Sequence, residues 1–399
     1  MRPVHNFFMF AFLASVAAFP AEAADAPPAV QAFLANLERN TAIKPVYDEL
    51  KDDGNGNITL TNFTLAKPAS GDVPGVSVKM ADVTFSGITE EAPQLFQVGK
   101  AAFNNITLEV QGEGGFTATI PQVGAEGWYI RQLGDNPAAI DQLLATSTFA
   151  RKISSGKVSI GTAGQSVTID GVESTWDGDP KTGAGTFNVK VSNIAVPEAL
   201  MALMDQGGML KQLGYTSLNL DVATMSDMKV ADEKVSYGFE LGLSGRDIAN
   251  VKLGANFSDI PLAAYTEILK ANSEGKEPDF NALMPQLQEV IVNGASFRFE
   301  DASIVNKILP MAAAMNGMDE KTLRASIGPM VQLTLVQLQN EAFAKQAMEA
   351  VTAFFAAPKS LTIAAKPATP LKVSEFMAMD PNKPGEAITR MGIAVTAND

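Results

Sequence analysis

The residues that could carry chemistry in this chain are carboxylates, hydroxyls, lysines and methionines, because imidazole and thiol are almost missing. There is no Cys, and the single His is His5. Cysteine-protease chemistry, thiol redox sites and Ser-His-Asp triads each need one of those two groups. Zinc sites draw mainly on the same pair of ligands.

The remaining motifs each have a chemical reading and a structural one. Asp53-Gly54-Asn55-Gly56-Asn57-Ile58 has the look of a calcium loop. An EF-hand register with Gly56 at its sixth position, however, puts Lys51 at the first and Asn62 at the twelfth, where carboxylates ligate. A Gly/Asn turn leading into a strand is the better reading. Ser154 with Lys157, and Ser226 with Lys229, match Ser-x-x-Lys, and Lys181-Thr182-Gly183 matches Lys-Thr-Gly. In penicillin-binding enzymes that serine opens a helix, so that the lysine one turn on reaches its hydroxyl. Here Ser154 is expected in a helix-to-strand turn and Lys181 in a Gly-rich bend. Met311, Met315 and Met318, and Met201, Met204 and Met209, place thioethers at helical spacing. Thioethers suit Cu(I), but Met is also the adaptable filler of apolar faces, which is the reading adopted. Asp177 with Asp179, and Glu90 with Glu91, are the candidate glycosidase pairs, and both fall in expected turns. Trp128, Tyr129 and Trp176 could stack on sugars or pack in a core; packing is expected. No metal or cofactor is assigned.

The N-terminus reads as an export signal. Arg2 supplies the positive start, and Phe7 to Phe19 form an apolar run broken only by Ser15. Pro20 and Ala21-Glu22-Ala23 follow, with small residues where signal peptidase needs them. A run of about 13 residues is too short to span a membrane, which takes about 20. Cleavage after Ala23 is expected, and it discards His5, leaving about 375 residues with neither imidazole nor thiol to fold in the periplasm without a disulfide. No later segment offers a spanning run, so no transmembrane segment is expected after cleavage. The net charge of −14 is unchanged, because the leader holds one Arg and one Glu. Such a chain is repelled by nucleic acid and by anionic surfaces.

Hydrophobic periodicity supplies the elements that would position any site. Val30, Phe33, Leu34 and Leu37 have helical spacing. From Ile58 the pattern turns to period-two alternation, with strands at 58–63, 76–80, 83–85, 106–110 and 116–120 separated by Gly, Asn, Asp or Pro. A helix is expected after Pro137. Three segments, beginning at Lys152, Gln212 and Val290, share a helix end, a turn and an alternating strand. Two others pass from strand into helix at Pro197 and Pro261, which suits the first turn of a helix. Val235 to Leu243 and Val251 to Phe257 alternate without a fault about the polar turn Ser244 to Asp247, a hairpin with one apolar face. Residues 303–357 read as helical, with Pro329 a kink, and Leu361-Thr362-Ile363 and Leu371 return to sheet.

These patterns predict an α+β protein of extended antiparallel β-sheet meanders alternating with short helices, with a helical segment near the C-terminus. The organisation expected is a cleaved signal peptide (1–23), an N-terminal helix plus β-rich region (24–150), and a quasi-repeated strand–helix region ending in helices (151–399). Gly294 to Asp301, Ala353 to Ile363, Lys366 to Leu371, and Leu213 to Leu218 resemble a family of uncharacterised secreted proteins from alphaproteobacteria, over most of residues 150–399. Meanders alternating with short helices also look like AsmA-like or lipid-carrier envelope proteins in architecture. The family resemblance implies no activity and no catalytic residues. The function expected is a non-catalytic periplasmic binding or cell-envelope factor whose partner is a lipid, another apolar molecule or an envelope protein. Phe239, Met311, Met315, Phe354 and Phe355 are the residues expected near an apolar cavity, with a dry core as the competing reading for them. One alternative is a carboxylate-based envelope hydrolase, which two buried carboxyl groups facing each other across a cleft would favour. Another is an adaptor in outer-membrane assembly, which an exposed apolar patch would favour.

Overall fold

The computed structural model describes residues 26–399, apart from 42, 71–73, 113, 135–136, 163–164, 206 and 274–275. The export segment therefore lies outside the described residues. Helix α1 (Pro28–Thr41) leads into strands β1 (Glu49–Asp52), β2 (Ile58–Lys67), β3 (Val76–Ala92), β4 (Leu95–Val110) and β5 (Phe116–Arg131). Then come α2 (Ala139–Thr146), β6 (Phe149–Ser155), β7 (Val158–Thr162), β8 (Gln165–Gly178) and β9 (Gly185–Val196). Helices α3 (Glu198–Met204) and α4 (Met209–Gln212) precede β10 (Leu218–Ala231), β11 (Lys234–Gly245) and β12 (Ala249–Pro261). Helices α5 (Leu262–Ser273) and α6 (Phe280–Leu287) follow, and then β13 (Ile291–Asp301). The last part holds α7 (Ile304–Met315), α8 (Glu320–Leu335), a 3-10 turn (Val336–Leu338) and α9 (Glu341–Ala356). It ends with β14 (Ser360–Ala365), β15 (Leu371–Lys372), α10 (Val373–Met377), α11 (Pro384–Met391) and β16 (Ile393–Ala397). The α+β class and the antiparallel meanders expected from the sequence are what the chain forms.

Two compact units result, one of the described residues up to Thr186 with Leu262–Leu283, the other of Phe187–Pro261 with Met284–Asp399. In the first, the strand order is β1-β2-β3-β4-β5-β6-β8, with β7 pairing both β5 and β8. Helix α1 starts at Pro28, whose missing N–H costs nothing there. It stops at Thr41, whose hydroxyl donates to Leu37 O (2.6 Å) and accepts from Ile43 N (3.0 Å). Its Val30, Phe33 and Leu34 are buried, as are Phe63, Phe85, Val98 and Ile120 of the sheet. Phe33 is the centre of this core, its ring 5.3 Å from Phe85 and 5.5 Å from Trp128.

Strands of 16 and 17 residues have to bend to close over one helix. The register aligns Gly87, Gly99 and Gly127 in one row across β3, β4 and β5. Gly87 and Gly127 have φ of +62° and +56°, and left-handed residues within a strand bend it. A second row runs through Asn62, Ala81, Asn105 and Pro121, with φ +52° at both asparagines. Pro121 is tolerated in mid-strand because the ladder is interrupted there. The period-two pattern predicts separate strands at 76–80 and 83–85, whereas β3 is continuous and creased at Ala81. Gly127→Val is expected to lower the stability of the first unit by about 2–3 kcal/mol. Its backbone is left-handed, and a Cβ there would sit 2.8 Å from Arg151 Cγ. Thermal melting followed by circular dichroism measures this, and a melting temperature equal to that of the wild type would refute the crease as a structural requirement.

In the second unit the order is β9-β10-β11-β12-β13-β14-β16, with β15 on β13. The hairpin read from alternation is present, with Leu241 opposite Leu253 and Leu243 opposite Val251. Pro197 and Pro261 sit at the strand-to-helix junctions as expected. Helices α6, α7 and α8 continue through Pro285, Pro310 and Pro329. Asp319 caps α8 by accepting from Thr322 N (2.9 Å), and Asn340 caps α9 by accepting from Phe343 N (3.0 Å). Phe354 of α9 packs with Val305 and Leu309 of α7 against Phe299 and Leu361 of the sheet.

Candidate functional site

Alternation gives the second unit's sheet one polar and one apolar face. On the polar face, Lys252 lies opposite Arg298, which pairs with Glu300 (2.8 Å) and Asp399 (2.6 Å). Hydrogen bonds from Thr396 and Arg298 hold the Asp399 carboxyl down to about 2. On the other face the register sets Leu241, Leu253, Phe297, Ile363 and Val395 in one line across β11, β12, β13, β14 and β16. The adjoining line is Leu243, Val251, Phe299, Leu361 and Ala397. At the β16 end this face is closed, because Ala347 and Ala350 of α9 pack on Val395. Toward β11 it is open. Leu243, Leu253 and Ile363 are each 42% exposed, and Phe239 and Phe297 are 36% exposed. A band of large apolar side chains thus runs from water to the edge of α9.

The residues singled out from sequence do not meet in one place. Phe239 lies on the open face, 6.2 Å from Tyr237 ring to ring. Phe354 and Phe355 are in edge-to-face contact at 5.2 Å within the packed helix–sheet cluster, with Phe354 buried. Met311 is half-buried on α7, whereas Met315 is 81% exposed. Helix α7 buries Val305, Leu309 and Ala313, and Met315 falls on a different side of it. Leu243, Leu253, Phe297 and Ile363 form the exposed part of this face, which the sequence reading does not single out although their alternation carries the signal.

The other motifs resolve locally. Asp53 accepts from Asn55 N (2.7 Å) and from Asn57 Nδ2 (2.7 Å), so its carboxylate closes a Gly/Asn turn. The side-chain bond from Asn57 and the backbone bond from Asn55 hold its pKa below the usual value. Ser154 belongs to β6, not to a helix end, because Phe149 to Ser155 pair with β5. Ser226 and Lys229 lie on β10, where residues three apart point to opposite faces. Asp177 is fully exposed and pairs with Arg151 (3.2 Å), while Asp179 accepts from Lys181 N (2.9 Å) within its turn. Among the described residues the buried polar side chains are Thr41, Thr266 and Ser360, none of them a carboxyl. Trp176 is buried against Phe149, ring centroids 5.0 Å apart, and the half-buried Trp128 packs edge-to-face on Phe33 at 5.5 Å, so both indoles serve as packing in the first unit. Met201 is buried and Met209 exposed, so these thioethers do not share an environment; the side chain of Met204 lies outside the described residues. A Ser-Tyr-Lys grouping that the sequence did not suggest joins Ser303, Tyr215 and Lys307, with the Lys307 ammonium 3.7 Å from the Tyr215 ring centroid. Both hydroxyls donate to Asp247 O, which ties the β11–β12 turn to the start of α7. A serine that gives its proton to a carbonyl has no base there.

A family model described only as "Uncharacterized protein" matches residues 242–398. The match covers the open face from Leu243 to Ile363 and helices α7, α8 and α9; Phe239 lies just before it. It also covers three of the four stretches on which the resemblance was read, while Leu213 to Leu218 lies outside it. No curated protein matches the chain. Among the described residues, no helix is long and apolar enough to cross a membrane.

Proposed function

We propose that this protein is a non-catalytic periplasmic binding factor of the cell envelope that carries a lipid or similar apolar molecule on the open sheet face of its second unit. The observation that carries the reading is the exposed line from Leu253 through Phe297 to Ile363, continuous in register and ending beneath α9. Soluble proteins seldom leave a contiguous apolar band in water unless something binds there. An acyl chain needs only apolar surface and no polar partners, which is what this face offers. Phe239 remains in the proposed site, and Leu243, Leu253, Phe297 and Ile363 join it. Phe354 and Phe355 become the packed support beside it, and Met311, off the buried side of α7, and Met315 leave the site. The leader pattern ending at Ala23 supports a periplasmic location. The resemblance to secreted alphaproteobacterial proteins read from the sequence supports the envelope role, and the likeness to AsmA-like or lipid-carrier proteins is an architectural analogy beside it.

A second reading takes the same face as the docking surface of an adaptor for an envelope protein. One experiment separates the two. The mature protein is purified from its own periplasm and weighed by native mass spectrometry. Lipid-sized mass increments, removable by organic extraction, are expected. A clean apo mass would overturn the lipid reading, and a protein-sized increment would transfer the face to the adaptor reading.

A further inference from the structure

The second unit has another apolar surface, separate from the sheet face. Helix α8 buries Gly328 against α9, where a Cβ would run into Thr352. On its far side Met330 is 62% exposed and Leu333 is 74% exposed, and Val336 in the following 3-10 turn is 64% exposed. Spaced three apart, these residues share one side of the helix. The whole stretch 325–340 carries no charged residue. The chain then turns at Gln339 and Asn340 into an open depression of about 580 Å³ lined by Glu341, Glu386, Thr389 and Arg390. Arg390 pairs with Glu375 of α10 (3.0 Å), and the two residues after Glu375 are Phe376 and Met377, 53% and 58% exposed. A polar notch holding Glu341, the Arg390–Glu375 pair and the Lys383–Glu386 pair (3.1 Å) thus has exposed apolar side chains on both flanking elements.

We propose that this rim docks on the surface of a phospholipid bilayer with zwitterionic headgroups. Met330, Leu333, Val336, Phe376 and Met377 enter the acyl boundary. The notch takes a headgroup, with Arg390 facing the phosphate and Glu341 facing the ammonium, while Glu386 stays paired with Lys383 at its edge. The missing charges at 325–340 are what this requires, because no ion has to be desolvated when the helix side sinks into the interface. The net charge of −14 disfavours anionic lipid, which makes a zwitterionic surface the matching one. A second copy of the chain is a poorer occupant, since a two-fold contact sets each patch against itself and draws Glu341 and Glu386 toward their own copies.

Flotation of the mature full chain with vesicles tests the proposal, using phosphatidylethanolamine–phosphatidylcholine vesicles against vesicles rich in phosphatidylglycerol. Binding to the zwitterionic vesicles and weaker binding to the anionic ones are expected. The triple variant Met330→Ser, Leu333→Ser, Val336→Ser should lose at least tenfold of the bound fraction while its circular dichroism stays that of the wild type, since exposed positions tolerate such changes. A Glu341→Gln, Glu386→Gln variant should shift toward the anionic vesicles. Flotation of the triple variant equal to wild type would overturn the proposal, as would a wild type that binds neither vesicle. A wild-type dimer that the triple variant dissolves into monomers would overturn it in favour of a self-contact. Substitutions at Leu253 and Phe297 are expected to leave flotation intact, so failure of the sheet-face ligand reading is told apart from failure of this one.

Discussion

Replacing Phe33 with alanine is expected to destabilise the first unit by about 3–5 kcal/mol, the range for a buried phenyl whose removal leaves a cavity. The ring is 8% exposed and lies within 6.3 Å, centroid to centroid, of Phe63, Phe85, Phe103 and Trp128. Those four residues come from four different strands, and α1 brings one ring to all of them. Strands creased at two rows cannot collapse onto the vacated space without undoing the left-handed residues that set the creases. Trp128 and Trp176 are the only tryptophans in the chain, and both belong to this unit. Tryptophan fluorescence in urea therefore reports on the first unit alone. A midpoint displaced by the equivalent of less than about 1 kcal/mol would mean that α1 is not the keystone of that core. Phe33→Leu, which restores most of the volume, should recover most of the loss.

Much of this architecture is visible in the residue pattern. The β11–β12 hairpin follows from Val235 to Leu243 and Val251 to Phe257, because period-two alternation with a polar turn has few other solutions. The helix at Val30 to Leu37 and the proline junctions at 197 and 261 are equally direct. What escaped depended on long-range partners. Lys152 to Ser155 has no strong alternation, and it becomes a strand because β5 offers an edge for Glu126 and its neighbours to pair with it. The creases had a faint signal, since Asn62, Asn105, Asn193 and Asp259 each precede Phe or Ile and each has φ between +51° and +59°. That recurrence marks left-handed positions, but only register shows which of them share a row.

The candidate site divides in the same way. Alternation states that Leu241, Leu243 and Leu253 share an apolar face. It does not state which part of that face α9 covers, since that is decided by the landing of Ala347 and Ala350 on Val395. Spacing likewise places Met311 and Met315 one turn apart on a helix. The rotation of α7 is fixed by Val305, Leu309 and Ala313, and that rotation leaves Met315 in water.

The double variant Leu253→Glu, Phe297→Glu is expected to weaken binding of cis-parinaric acid, a fluorescent fatty acid, by at least about 30-fold. The two residues face each other across β12 and β13, and they are 42% and 36% exposed. At those exposures roughly 150 Å² of apolar surface is available to a ligand, or about 4 kcal/mol at ~25 cal/mol/Å². An acyl chain covering only half of it gains about 2 kcal/mol, the equivalent of that fold-change. The new carboxylates would also have to lose water beneath the chain, which makes the loss larger. Because both side chains already reach solvent, folding should suffer by only about 1–2 kcal/mol, chiefly from like charges set opposite each other. Phe354→Ala is the informative contrast. It opens a cavity in the supporting cluster and should cost about 3–5 kcal/mol of stability, yet at temperatures where it stays folded it should bind the probe within a few-fold of the wild type. Wild-type affinity in the double glutamate variant would remove the ligand from this face. A Phe354→Ala protein that is folded but cannot bind would relocate the ligand to the cluster of α7, α9 and the sheet that holds Phe354 and Phe355.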